Sequence, residues 1–231
     1  MNEAPAHWQR VIGQSRSVDF VRALLRNDRV PSAWLFTGPS GVGKAAVAIE
    51  VARVLRCEVR PSADLACGCC TSCAEIDELR HAGLLFTTAL PTGKNENGRN
   101  DGPLDRLSSD DLSVVQEEIQ KKGHDPYHRL SIPKARGIKV SSVREIRRQL
   151  SRASDDKRRR IVILHEADTM GPSAANAFLK TLEEPGEATT IILTSSHPER
   201  LLPTVRSRCQ VFAFAPISPS DMSEALVSRW G

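Results

Sequence analysis

The chain has 231 residues, 40% hydrophobic and 26% charged, with a formal net charge of +4. That is room for one large domain with a sizeable core. No apolar run approaches the roughly 18 residues of a membrane span, residues 1–10 lack the apolar stretch of a secretory signal, and aromatics at 4% leave little material for a base-stacking surface. The expectation is a cytoplasmic chain with no membrane partner.

Val18, Val21, Leu24 and Leu25 recur at helical spacing, with Pro31 just beyond. Residues 33–37 are a short apolar run that reads as a buried strand. It leads directly into Gly38-Pro39-Ser40-Gly41-Val42-Gly43-Lys44, and residues 44–55 are apolar on nearly every side, as in a helix packed from several directions. A cysteine-rich stretch follows. Residues 86–133 change character: 95–101 are polar and loop-like, and 108–122 suggest a polar helix through Leu112, Val115 and Ile119. This segment reads as an insertion. Ser142-Val143-Arg144-Glu145 has the form of a capping box, with Val143, Ile146 and Leu150 on the helical face behind it. Residues 161–164, 191–194 and 211–214 read as strands, and 173–184 as a helix through Ala174, Ala177, Phe178 and Leu182, stopped by Pro185-Gly186. Strands alternating with helices predict an α/β fold with a parallel sheet covered on both faces.

Residues 38–44 carry the sharpest chemistry. G-x-x-x-x-G-K between a strand and a helix is the phosphate-loop pattern. Its glycines let backbone N–H groups turn towards phosphate oxygens, the helix N-terminus adds positive partial charge, and Lys44 reaches the terminal phosphates. Two positions depart from it. The hydroxyl residue that holds magnesium after the lysine is replaced by Ala45. At the end of the strand 161–164, where an aspartate ordinarily supports the ion, stands His165, and neutral imidazole is a poor partner for magnesium. Glu166 keeps the place of a water-activating carboxylate. ATP or ADP can then occupy the cradle, whereas both magnesium supports are missing and the expected hydrolysis is weak or absent.

These features, with Val11-Ile12-Gly13-Gln14, the Asn176-Ala177-Phe178-Leu179-Lys180-Thr181-Leu182-Glu183-Glu184-Pro185 run and Ser207-Arg208-Cys209, make the chain resemble the bacterial DNA polymerase III clamp-loader ATPases, most closely the delta-prime type and next the gamma/tau type. The resemblance implies a RecA-like AAA+ nucleotide-binding domain over 1–215, with a zinc knuckle at 57–73 and the insertion at 86–133. Residues 216–231 would begin the lid or linker, the lid and helical collar being mostly absent, as in a truncated or unusually short family member. It implies nucleotide contacts from Val11, Ile12, Gly38, Ser40, Gly41, Val42, Gly43, Lys44 and Ala45. It also implies a trans-acting arginine finger at Arg208 and a phosphate sensor at Ser196. The implied role is that of a stator that helps load the sliding clamp on DNA, within the DNA-directed DNA polymerase III holoenzyme, a nucleotidyltransferase assembly. Its partners would be gamma/tau, delta, indirectly the clamp, and the primer-template backbone. The competing readings are a gamma/tau-type motor subunit, against which Ala45 and His165 speak, and an unrelated AAA+ ATPase.

Of six cysteines, five fall between positions 57 and 73. In a reducing compartment such a cluster reads first as a metal site. Cys57, Cys67, Cys70 and Cys73 suit a closed tetrahedral structural zinc site, and the family carries a similar knuckle there. Cys69 is an alternative to Cys70, and a redox C-x-x-C is the competing chemistry. Arg144, Arg147, Arg148, Arg152, Lys157, Arg158, Arg159 and Arg160 form a basic cluster, ordinarily a solvated face. The resemblance adds a sequence-independent contact with DNA phosphates.

Overall fold

The computed structural model describes Trp8 and residues 10–92, 102–105, 107–152 and 158–230. In chain order its elements are α1 (Ser15–Arg26), β1 (Ala33–Thr37), α2 (Lys44–Arg56), α3 (Thr71–Asp77), β2 (Leu84–Thr87), β3 (Leu90–Pro91), α4 (Ser109–His124), β4 (Ala135–Gly137), α5 (Val140–Leu150), β5 (Arg160–Leu164), α6 (Pro172–Glu183), β6 (Thr189–Ser195), α7 (Pro203–Arg206), β7 (Gln210–Ala213) and α8 (Pro219–Trp230). Five strands form one sheet in the order β2-β5-β6-β1-β7, with every neighbouring pair parallel. β3 and β4 pair separately as a short antiparallel ladder.

The alternation along β1 shows why helices cover both faces. Trp34 and Phe36 point into one core with α1 and α2. Ala33 and Leu35 point into the other, against Val143 and Ile146 of α5 and Ala174, Phe178 and Leu182 of α6. The few aromatics are concentrated beside β1: Trp34 stacks on Phe212 at 4.8 Å, and Phe36 meets both Phe212 and Phe214. They fix β7 against β1 and so the sheet edge where β1 runs into the loop 38–44. The carboxyl ends of β1, β5 and β6 converge on that edge, the usual ligand side of an open α/β sheet.

The structure corrects two sequence readings and adds elements the sequence reading lacks. The insertion begins later than residue 86, because Phe86 and Thr87 belong to β2, in register with Ile163 and Leu164. Ser142 is no N-cap: α5 starts at Val140 behind Lys139, which puts Ser142 inside the helix, and its buried hydroxyl has no hydrogen-bond partner. Glu145 turns instead to Arg148 and Gln149. α3 and β2 were not foreseen. The polar stretch 95–101 and Lys157 lie outside the described residues.

Candidate functional site: the phosphate-loop cavity and the cysteine cluster

The loop 38–44 leaves β1 with Gly38 at φ 143°, where a Cβ would meet the Phe214 carbonyl oxygen at 2.4 Å. Only glycine lets the chain turn so close to the end of β7. Val42 is buried in the core and Ser40 lines the cavity the loop encloses. Lys44 opens α2. Its ammonium donates to the carbonyls of Gly38 (2.7 Å) and Pro39 (2.6 Å) and to Ser196 Oγ (3.1 Å). Burial is the main influence on this ammonium and pushes it down to about 8, against the nearby carboxylates of Asp168 and Glu166. Ser196, just beyond β6, thus touches Lys44, and its own N–H donates to Asp168 Oδ1 at 3.2 Å.

Both departures from the phosphate-loop pattern sit in this cavity. Ala45 presents a methyl group and lines it. His165, at the end of β5, is buried, lies over the Phe86 ring (centroids 5.9 Å apart) and has Nδ1 3.3 Å from Thr194 Oγ1. Burial, helped by the charges of Lys122 and Lys44, pushes its imidazole down to about 3, so the ring is neutral at physiological pH. A methyl and a neutral, stacked imidazole do not fit magnesium, which demands hard oxygen ligands. Glu166 follows at φ 54°, its N–H donating to Thr194 Oγ1 at 3.1 Å, and it also lines the cavity.

Sequence reasoning missed the cavity's roof, which comes from the segment read as an insertion. α4 ends in an Asp125-Pro126 turn, with Asp125 Oδ1 accepting from the Tyr127 N–H. Pro126, Tyr127, His128, Arg129 and Leu130 then close over the loop. Glu118 straps this stretch to α4, accepting from Ser131 N at 2.6 Å and lying 3.0 Å from His128 Nε2. Tyr127 lies against Gly43, where a Cβ would meet its hydroxyl at 2.7 Å. The same hydroxyl accepts from the N–H of Ile12 at 2.7 Å. Beside Ile12, Val11 packs on the core. Lys122, also buried, donates to the His128 carbonyl at 2.8 Å and lines the cavity opposite Lys44. The chain's sole tyrosine after an Asp-Pro turn was the local signal, but nothing local aims it at a loop 84 residues earlier.

At the other end of α2, the sulfurs of Cys57, Cys67, Cys70 and Cys73 lie within 4.8 Å of one another. Cys57 to Cys70 and Cys67 to Cys73 are each 4.0 Å. Thiolates roughly 2.3 Å from a tetrahedral zinc stand about 3.8 Å apart, so the set fits. Backbone N–H groups of Arg60 and Cys67 donate to Cys57 Sγ (both 3.1 Å), and that of Cys70 to Cys67 Sγ (3.3 Å), the outer-shell bonding that steadies thiolate ligands. Burial opposes ionisation of Cys67, but the hydrogen bonds it accepts prevail and bring it down to about 6. Cys69 is exposed and outside the cluster, so Cys70 is the fourth member.

Arg208 is partly exposed and lies outside the cavity lining. Its Nε donates to Glu183 Oε1 at 2.9 Å and its Nη1 to the Thr204 carbonyl at 3.0 Å. The basic cluster divides. Arg144, Arg147, Arg148 and Arg152 are exposed on and just after α5. Arg158 and Arg160 are tied to backbone carbonyls, and Arg159 to Thr190 Oγ1. Among the described residues no helix is long and apolar enough to cross a membrane.

The profile of the family described as DNA polymerase III, delta subunit, matches residues 13–218. The chain is 26% identical to the DNA polymerase III subunit delta' of Bacillus subtilis over 94% of its own length and 52% of the relative's. It is 33% identical to that of Pseudomonas aeruginosa over 77% of this chain and 41% of that one. It is 29% identical to the gamma/tau subunit of Mycobacterium bovis over 97% and 31%, respectively. The chain thus spans about half the length, or less, of these relatives.

Proposed function

The chain belongs to the DNA polymerase III delta-subunit family, and from that premise we propose that it serves as a delta-prime-like stator of the clamp loader. It helps load the sliding clamp during replication, supplies Arg208 to the nucleotide site of a neighbouring gamma/tau subunit, and hydrolyses little or no ATP itself. The observation that carries this reading is the pairing of a formed phosphate loop with Ala45 and a neutral, buried His165 at both magnesium positions. On this reading residues 1–215 are the RecA-like AAA+ domain and 216–231 lead into the lid. Ser196 keeps its contact with Lys44 as a relic of phosphate sensing, and Glu166 keeps a catalytic carboxylate's place without its metal. Val11 and Ile12 flank the adenine side. Cys57, Cys67, Cys70 and Cys73 hold a structural zinc ion, which contributes folding energy to the knuckle and no chemistry. The exposed arginines of α5 contact the phosphates of primer-template DNA.

The test is a clamp loader reconstituted with the full-length form of this subunit. Arg208→Ala should lower DNA-stimulated ATPase at the site that receives the finger by on the order of 10³-fold, diluted in the total by the other sites. Arg200→Ala, outside the Ser207-Arg208-Cys209 motif, is the control. Equal effects from both would remove the stator reading. Robust turnover by the isolated chain would favour a gamma/tau-type motor.

A further inference from the structure

A phosphate loop ordinarily shares the charge of its ligand between the loop lysine, backbone N–H groups and a divalent ion. Here the positions that would support the ion cannot, yet the cavity is not short of positive charge. Lys122 reaches it from the last turn of α4, and both Lys122 and Lys44 are buried. Together with Ser40, Gly41 and Gly43 they line one space of about 170 Å³, facing Ala45, His165 and Glu166. Glu166 is the one carboxylate in that lining, with Asp168 and Asp125 acting on the two lysines from outside it, while Arg129 adds a third cation and His165 carries no charge. Two ammonium groups taken out of water in one small space are costly unless an anion compensates them. Burial pushes Lys122 down to about 8 against the nearby carboxylates of Asp125 and Glu166, with Lys44 adding to the lowering.

Size restricts the ligand. Whole-cofactor pockets run to roughly 300–1,000 Å³. This one is smaller, and the Tyr127 hydroxyl bonded to Ile12 N–H closes the side beside Val11 and Ile12. The space suits one or two phosphate groups.

We propose that Lys122 takes the place of the divalent ion, so that the loop 38–44 binds a small polyphosphate anion of pyrophosphate size without metal. The inference rests on reading 38–44 as a phosphate cradle and is independent of what Arg208 does.

Calorimetric titration of inorganic pyrophosphate into the zinc-loaded chain, in buffer freed of magnesium by chelating resin beforehand and then in excess magnesium, tests it. Saturable one-to-one binding is expected in the magnesium-free buffer, with no strengthening by magnesium. Lys122→Met should weaken that binding by on the order of tenfold or more, the scale of a lost charge-assisted hydrogen bond, and Lys122→Arg should retain most of it. Because Lys122→Met also removes the bond to His128, a second measurement uses the unaltered, zinc-loaded chain: pyrophosphate in magnesium-free buffer should protect Lys122 and Lys44 from amine acetylation, read by peptide mass spectrometry. Binding only with magnesium, undiminished binding by a folded Lys122→Met chain, or no protection of Lys122 would overturn the proposal. So would no binding in either buffer, an outcome that leaves the stator reading, tested through Arg208, in place.

Discussion

Arg208 donates from Nε to Glu183 Oε1 at 2.9 Å, a contact that ties the Ser207-Arg208-Cys209 motif to the end of the Asn176–Pro185 run within one subunit. The guanidinium is thereby held in a defined direction while remaining partly exposed. A finger acting on a neighbour needs this: an anchor in its own chain and an open outward side. Exposed pairs of this kind are worth at most about 1 kcal/mol. Glu183→Gln should therefore leave thermal stability nearly unchanged. In a reconstituted loader it should loosen the finger and reduce ATPase by less than Arg208→Ala does. A loss of stability above about 2 kcal/mol for either variant, on denaturant titration, would mean that the pair is chiefly structural.

Metal analysis of freshly purified chain should return about one zinc per chain. Cys67→Ser and Cys73→Ser should each lower zinc content and melting temperature together. Cys69→Ser, outside the cluster, should change neither. Equal sensitivity of Cys69 would contradict the ligand set.

Tyr127 sits between Ile12 and Gly43, the two sides a nucleotide would span. Tyr127→Ala should open that side and raise the affinity of the zinc-loaded chain for a fluorescent ADP analogue in magnesium-free buffer, measured by anisotropy. Tyr127→Phe, which keeps the ring and loses only the bond to the Ile12 N–H, should have the smaller effect. If neither variant alters ADP binding, the ring is no barrier.

In a Tyr127→Ala background, where the nucleotide side is open, restoring Ala45→Thr together with His165→Asp should improve Mg-ATP binding without yielding turnover, since none of these changes supplies a neighbour's arginine. The stability cost should fall mainly on His165→Asp, because a carboxylate placed between Phe86 and Thr194 exchanges a neutral ring for a charge in a buried site. Melting curves of the single variants separate the two contributions.

The roof over the phosphate loop should weaken in acid. Glu118 is held down to about 2, first by the Ser131 N–H and then by His128 and Lys121. Its folded value lies below the ordinary carboxylate value of roughly 4.3, so its contribution is complete above that pH and is lost as pH falls towards 2. Protection factors at residues 127–131, referenced to the intrinsic exchange rate at each pH, should fall across that window in the unaltered chain. Glu118→Gln should show low protection already at pH 7 and little further change on acidification.

What the sequence makes legible follows the range of the interactions involved. β1 and the start of α2 are read to the residue, because an apolar run, a glycine loop and an apolar helix are local patterns. The four cysteines are legible as a cluster able to hold a metal because sulfur chemistry and close spacing suffice; the choice of Cys70 over Cys69 needs the turn that points one inward and the other out. The helix α4 is legible, but its destination is not. Nothing near Lys122 or Tyr127 says that they face Lys44 and Gly43, a juxtaposition made by the docking of Gly123 against the Asp77 carbonyl, where a Cβ would stand 2.2 Å from the oxygen. The capping-box reading of Ser142 fails for a related reason. Ile138 and Val143 are both drawn into the core, and that burial sets the start of α5 earlier than the local motif suggests.

α2 is buried along all of its residues from Lys44 to Arg56, and Cys57 follows immediately as its C-cap, its N–H bonded to the Arg53 carbonyl. About 20 Å of helix therefore forms a single strut with the phosphate loop on one end and the cysteine cluster on the other. Enclosed on every side, the strut has no freedom to turn or slide on its own, so whatever the four sulfurs grip fixes the bearing of the amide groups at the far end. Stripping the metal from this chain should accordingly be felt as a loss of aim at the loop: a weaker hold on phosphate, produced a full helix length from the atom removed.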